Sequence, residues 1–183
     1  MARPGPAYLP GDPSPACERD RMVRVDHAGE YGAVRIYAGQ LDVLKNKPTA
    51  PTIREMGKQE EVHLDRFNTM IAERHVRPTV FLPFWHAAGY MLGAGTALMG
   101  ERAAMACTVG VEEEIDDHYG KQLERLADSD PELTTVVEKF QAEELEHRDT
   151  ALEHGAEDAP AYPVLTGAVR RASRLAIWLS ERF

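Results

Sequence analysis

Cysteine is scarce. The 183 residues hold two, Cys17 in a proline-rich stretch and Cys107 in an apolar run. That excludes a disulfide scaffold and a thiolate metal site, and a reducing compartment is the simpler reading. Basic charge is also short: 21 Lys and Arg stand against 30 Asp and Glu, a formal charge of −9. With no dense basic patch either, nucleic acid is not expected as a partner. No run of period-two alternation lies between turn signals, which argues against strands. The glycine fingerprint of dinucleotide-binding folds is missing too.

Residues 1–16 carry Pro4, Pro6, Pro10, Pro13 and Pro15 together with Gly5 and Gly11. Proline at that density opposes a helix. The stretch lacks the apolar centre of a secretory signal, and Asp12, Glu18 and Asp20 argue against an amphipathic transit peptide. The expectation is a disordered leader over 1–18, one domain over 19–183, and a protein that stays on the cytoplasmic side. From Arg19 the chain reads as helices near 19–45, 51–75, 97–127, 131–154 and 162–182. The breaks fall at Asn46–Pro51, Val76–Pro83, Asp128–Pro131 and Gly155–Pro163. Pro51 and Pro131 sit where a first-turn proline belongs, and Asp130 is a good N-cap.

Four of these helices carry apolar seams with alternating steps of three and four, the spacing of a bundle core. They run Val23, His27, Glu30, Val34, Tyr37, Leu41, Leu44; then Ile53, Met56, Glu60, His63, Phe67, Met70; then Met105, Thr108, Glu112, Ile115, Tyr119, Gln122, Leu126; then Leu133, Val137, Phe140, Glu144, His147, Ala151. Each seam places a glutamate near its middle. A carboxylate in an apolar seam costs several kcal/mol unless it is paired, protonated or bound to a metal. Two of the four are followed three residues later by histidine, on the same helix face. The seams also choose between adjacent acids: Glu61, Glu113, Glu143 and Glu146 fall off them and should face solvent or the flanks.

Four carboxylates and two imidazoles match the charge of two divalent ions. Mixed oxygen and nitrogen donors suit iron or manganese. One Glu from each of two helices plus Glu-x-x-His from each of two others is the layout of di-iron carboxylate bundles. The expected ligands are therefore Glu30, Glu60, His63, Glu112, Glu144 and His147. Glu30 to Glu60 spans 30 residues and Glu112 to Glu144 spans 32, two helix hairpins, while the 52 residues from Glu60 to Glu112 leave room for a crossover. His27, alone in its seam, reads as a hydrogen-bonded core residue. His118 and Tyr119 follow Glu112 by about two turns. They read as flank and core, or as groups that steady a metal ligand from behind and so serve the catalytic site.

Residues 78–100 hold no Lys, Arg, Asp or Glu, 23 positions in a row. A membrane crossing there would put Glu30 and Glu60 on one side and Glu112 and Glu144 on the other, so the site could not assemble. The reading is an apolar, glycine-interrupted helix or pair of half-helices over 80–96 that lies on or dips into a membrane surface; the alternative is a helix buried by the bundle. In the last helix, Val164, Leu165, Ala168, Val169, Ala172, Leu175 and Leu179 form the expected core stripe. Ile177 and Trp178 fall beside Arg170, Arg171, Arg174 and Arg182, a face suited to anionic lipid or a partner.

The stretch Arg24-Val25-Asp26-His27-Ala28-Gly29-Glu30-Tyr31-Gly32-Ala33, the Glu60/His63 pair, Cys107 through Glu113, Glu143 through His147, and the ending from Ala161 to Arg182 resemble the demethoxyubiquinone hydroxylase family of ubiquinone biosynthesis. The resemblance covers about 22–183. It implies an all-α, ferritin-like four-helix bundle with a di-iron core, an apolar crossover segment and a C-terminal amphipathic helix. It also implies an O2-dependent monooxygenase with two Fe that hydroxylates a polyprenylated demethoxyubiquinol, and the family's ligands map onto the same six residues. The implied partners are the quinol and O2, a membrane surface, an external electron donor, and a partner of a ubiquinone-biosynthesis complex or a second copy of the chain. The implied place is peripheral, on the cytoplasmic face of a bacterial membrane or the matrix face of the mitochondrial inner membrane. An iron-oxidising or peroxide-scavenging bundle of the same fold is the alternative, and a non-catalytic lipid-binding bundle is a third.

Overall fold

Ser14 starts the first helix: its side chain accepts a hydrogen bond from the Cys17 N–H at 3.2 Å, and Pro15 takes the position where a proline costs nothing. The computed structural model describes residues 13–126 and 129–183. It contains α1 (Pro15–Leu44), α2 (Ala50–Arg74), α3 (Leu82–Leu98), α4 (Glu101–Leu126), α5 (Pro131–Glu153), a 3-10 turn (Ala156–Asp158) and α6 (Tyr162–Arg182). No strand occurs among the described residues. Most of the expected 1–18 leader lies outside them, as does the break at Asp128; Pro15–Glu18, at its end, already form the first turn of α1. Asp130 caps α5 through the Leu133 N–H at 3.1 Å, and Arg74 at the end of α2 pairs with the same carboxylate.

Helices α1 with α2 and α4 with α5 form two hairpins, and together they make a ferritin-like bundle. Two apolar plugs close its ends. Tyr37, Leu44, Ile53, Met56, Met105 and Val109 fill one. Val23, Phe67, Met70, Leu126, Leu133, Val137 and Phe140 fill the other. The expected seams of α2 and α5 are buried at every position.

Helix α1 is buried well beyond one seam, because α3 lies against its back. That crossing is a backbone-to-backbone contact. A Cβ on Gly93 would overlap the Ile36 carbonyl oxygen, one on Gly39 would overlap that of Tyr90, and one on Gly89 would come to 2.8 Å from that of Gly32. The glycines that suggested half-helices instead allow one unbroken helix to sit close. Its outer face stays apolar and exposed at Phe84, Met91 and Leu98. No helix among the described residues is long and apolar enough to cross a membrane.

Helix α6 packs on α4 and α1 by only part of the expected stripe. Val169 is buried, as are Thr166 and Ser180, and Leu165 packs against the core, whereas Val164 is 72 % exposed and Leu175 56 %; Trp178, expected off the stripe, is 47 % exposed. The reason is electrostatic. Arg174 makes a two-pronged hydrogen bond to the buried Glu114 at 2.8 and 2.7 Å, and Arg170 reaches Glu113 and Asp117 at 3.1 Å. These pairs turn the arginine side of α6 toward α4 and leave part of the apolar stripe outside.

Candidate metal centre

The four seam glutamates meet at mid-bundle, between the two plugs. Glu30 comes from α1, Glu60 and His63 from α2, Glu112 from α4, Glu144 and His147 from α5. All six are buried. They form two overlapping groups, Glu30, Glu60, His63, Glu144 and Glu60, Glu112, Glu144, His147, each with its donor atoms within 4.8 Å of one another. Glu60 and Glu144 belong to both. Nδ1 of His63 lies 3.1 Å from Glu144 and 3.5 Å from Glu30; Nδ1 of His147 lies 3.0 Å from Glu144 and 3.1 Å from Glu60.

Both carboxylate oxygens of Glu60 are buried without a hydrogen-bond partner. Buried polar groups are ordinarily satisfied, so an orphan pair in a nest of oxygen and imidazole donors fits a cation. Protons partly stand in for that cation. Burial, and after it the charge of Glu144, pushes Glu60 and Glu112 well above the usual carboxylate range; burial also raises Glu30. Burial would raise Glu144 as well, but hydrogen bonds from His147 and His63 hold it at about 2. Burial would lower His63, and its bonds to Glu144 and Glu30 override that and raise it to about 11. His147 is raised in the same way.

These directions fix a pH dependence. In the metal-free fold Glu30, Glu60 and Glu112 keep protons that the unfolded chain sheds above 4.5, and His63 and His147 keep protons shed above 6.5. The fold therefore binds more protons than the unfolded chain, and its stability falls as pH rises. Glu144 and His27 oppose this trend: the Glu144 contribution is already complete above 4.5, and His27, outside the donor groups, is lowered by burial. Metal ions held by this cluster would displace the same protons and so bind more tightly at higher pH. Metal at 100 times its Kd adds ~2.7 kcal/mol per site, or ~5–11 °C in Tm for a chain this long. In calorimetry, the gap in Tm between loaded and metal-free protein is expected to widen from about pH 5 to about pH 8. A gap that narrows contradicts the centre.

The surroundings of the ligands were only partly expected. The Tyr119 hydroxyl donates to Glu30 Oε1, and Tyr37 donates to Glu112 Oε1 at 3.1 Å. His118 meets no member of the cluster; its Nε2 lies 3.1 Å from the buried Asp26, which also accepts from Gln122 at 2.6 Å. His27 is the expected core histidine, bonded to Asn68 at 3.0 Å. Of the acids set aside, Glu61 is exposed, but Glu143 does not face solvent freely: its Oε2 accepts from His63 Nε2 at 2.9 Å. Gln59 does the same for His147 at 3.1 Å. The missed signal was the second nitrogen. An imidazole that turns one nitrogen to a metal carries its proton on the other, and that N–H needs an acceptor.

A cavity of 230 Å³ lies among α1, α3, α4 and α6, and none of the six donor residues lines it. Gly29, Ala33, Val111 and Ile115 line its bundle side, all close in sequence to Glu30 or Glu112, and Trp85, Ala88, Leu92, Ala176 and Ile177 line it from α3 and α6.

The family described as "Ubiquinone biosynthesis protein COQ7" matches residues 17–180. A relative in Rhodospirillum rubrum, 3-demethoxyubiquinol 3-hydroxylase, is 55 % identical over 175 residues, 95 % of this chain and 82 % of its own. The human NADPH-dependent 3-demethoxyubiquinone 3-hydroxylase, designated mitochondrial, is 53 % identical over 167 residues, 89 % of this chain and 77 % of its own. The mitochondrial 5-demethoxyubiquinone hydroxylase of Saccharomyces cerevisiae is 40 % identical over 180 residues, with 89 % and 77 % covered. An all-helical bundle, a buried Glu and His cluster at its middle and a match along nearly the whole length agree, and the chain belongs to the COQ7 family of ubiquinone biosynthesis proteins.

Proposed function

We propose that this protein hydroxylates the ring of a polyprenylated demethoxyubiquinol with O2, at a pair of iron ions held by Glu30, Glu60, His63, Glu112, Glu144 and His147. One observation carries the reading: two buried donor groups share Glu60 and Glu144, and the helices that supply Glu30 and Glu112 also wall an apolar cavity. The reaction turns a ring C–H into C–OH, releases the second oxygen as water, and consumes two electrons and two protons. The iron ions supply the activation of O2 when bound.

The chain's own residues do the rest. The six ligands set the spacing of the ions and neutralise them. The plugs around Met56 and Phe67 keep water away. Glu30 is held by the Tyr119 hydroxyl and Glu112 by that of Tyr37, which limits how far either carboxylate can swing. The cavity walls offer glycine, alanine and isoleucine, a surface for a flat ring and a greasy tail. Both helices that flank it keep apolar residues outside, Phe84 and Met91 on α3 and Leu175 and Trp178 on α6. Arg171 and Arg182 lie on the same helix as the latter pair, and such a basic-aromatic surface suits the face of a bilayer. A membrane-peripheral position, cytoplasmic in a bacterial host, follows. The electrons come from an external donor, a nicotinamide in the mammalian relatives by their names. An iron-storing or peroxide-scavenging bundle has no use for the cavity.

The test is complementation of a bacterium deleted for its own demethoxyubiquinol hydroxylase, with quinones profiled by mass spectrometry. Demethoxyubiquinone is expected to accumulate and to be cleared by the wild-type chain but not by Glu144→Ala. Clearance by Glu144→Ala would overturn the proposal.

A further inference from the structure

The two histidines sit at matching places in two Glu-x-x-His pairs. Their rings are stacked, with centroids 6.4 Å apart and planes 26° apart, and both turn Nδ1 to the carboxylates. The carboxylates are supported alike, Glu30 by a tyrosine and Glu112 by a tyrosine. The backing of the imidazoles breaks this symmetry. Each Nε2–H is answered by the residue that precedes the glutamate of the opposite pair: Glu143 for His63 at 2.9 Å, Gln59 for His147 at 3.1 Å. One acceptor is a carboxylate and the other an amide. Lys139 lies 3.6 Å from the second oxygen of Glu143, which is 23 % exposed.

A carboxylate behind a histidine raises the basicity of the ligating nitrogen; a neutral amide orients the ring without adding charge. We infer that the two metal positions are unequal by construction, the one beside His63 being the tighter, and that Glu143 and Gln59 act as the positioning residues that set the difference. The inference rests on the metal centre proposed above and adds to it an order of filling. The ion beside His63 enters first and leaves last.

The experiment is anaerobic titration of the metal-free full-length protein with Co2+, followed by visible absorption and by calorimetry. Two mutually repelling cations bind in two steps even at identical sites, so the comparison of variants decides. Wild type is expected to take two Co2+ per chain. Glu143→Gln should weaken the first step ~10–100-fold and draw the two together. Glu143→Asp should keep them apart. Gln59→Glu should draw them together from the other side, by tightening the second step, and it answers the question if Glu143→Gln fails to fold. Steps whose separation is unchanged in both Glu143→Gln and Gln59→Glu would overturn the inference while leaving the metal centre standing. A wild-type protein that takes up no Co2+ would overturn both.

Discussion

Glu60→Met is expected to abolish uptake of both metals and to leave no hydroxylated product above the metal-free background, and at the same time to raise the Tm of the metal-free protein. Glu60 belongs to both donor groups, so its loss breaks both, whereas Glu30→Ala breaks only the one with His63 and Glu112→Ala only the one with His147. The gain in stability has the same origin as the loss of function. Both oxygens of Glu60 lie buried without a hydrogen-bond partner, Oε1 meeting only the His147 Nδ1 contact at 3.1 Å, and burial with the nearby Glu144 and Glu30 keeps the carboxyl protonated. Methionine fills similar space with no polar atom to satisfy. Relief of a buried, unsatisfied group is worth ~1–3 kcal/mol, or roughly 2–12 °C in Tm at this length. Calorimetry of the metal-free proteins and metal analysis after anaerobic loading measure the two halves. A variant that melts lower than wild type and still takes up two metals would show that Glu60 is an ordinary structural carboxylate.

Gly93→Ala is expected to be among the most damaging single methyl groups that can be added to this chain. The new Cβ would overlap the Ile36 carbonyl oxygen, which is backbone on both sides, so no side chain can rotate away. Helix α3 must move off α1, and the cavity wall formed by Ala88, Gly89 and Leu92 moves with it. Overpacking of this kind costs ~1–3 kcal/mol and at times more, so a Tm drop of roughly 2–12 °C is expected, with impaired turnover. Gly95→Ala, two residues on, meets nothing within 4 Å and should be neutral or stabilising by up to ~1 kcal/mol, since alanine suits a helix better than glycine. Equal melting of the two variants would mean that α3 is not clamped to α1 as described.

How much could be read from the residues alone depended on how many partners each helix has. Helices α2 and α5 bury one face each, so a single seam describes them, and Ile53 through Met70 and Leu133 through Ala151 emerge as the buried set. The glutamates and histidines stood out because they interrupt those seams. Helix α1 has partners on two sides: Gly39 and the Ile36 carbonyl lie against α3, while Gln40 donates to the Ala104 carbonyl of α4. In α6 periodicity locates an apolar stripe, of which Leu165 and Val169 face the protein and Val164 and Leu175 do not. Hydropathy cannot tell a stripe that faces protein from one that does not, and the deciding fact was the pairing of Arg174 with Glu114, a contact 60 residues away in sequence. Glu143 lies off its seam, so periodicity places it on the flank. Its role comes from a neighbouring helix, where the His63 N–H needs an acceptor, and no single-helix pattern carries that.

The measurement that goes furthest to the centre of the matter is a single turnover in labelled oxygen. The full-length protein is loaded anaerobically with ferrous iron, freed of excess metal, supplied with a short-chain demethoxyubiquinol and mixed with 18O2. About two irons per chain and one labelled oxygen in the ring of the hydroxylated quinol are expected, with neither in Glu60→Met. Label in the product of iron-free protein, or an iron-loaded wild type that yields none, would contradict a centre built by Glu30, Glu60, His63, Glu112, Glu144 and His147.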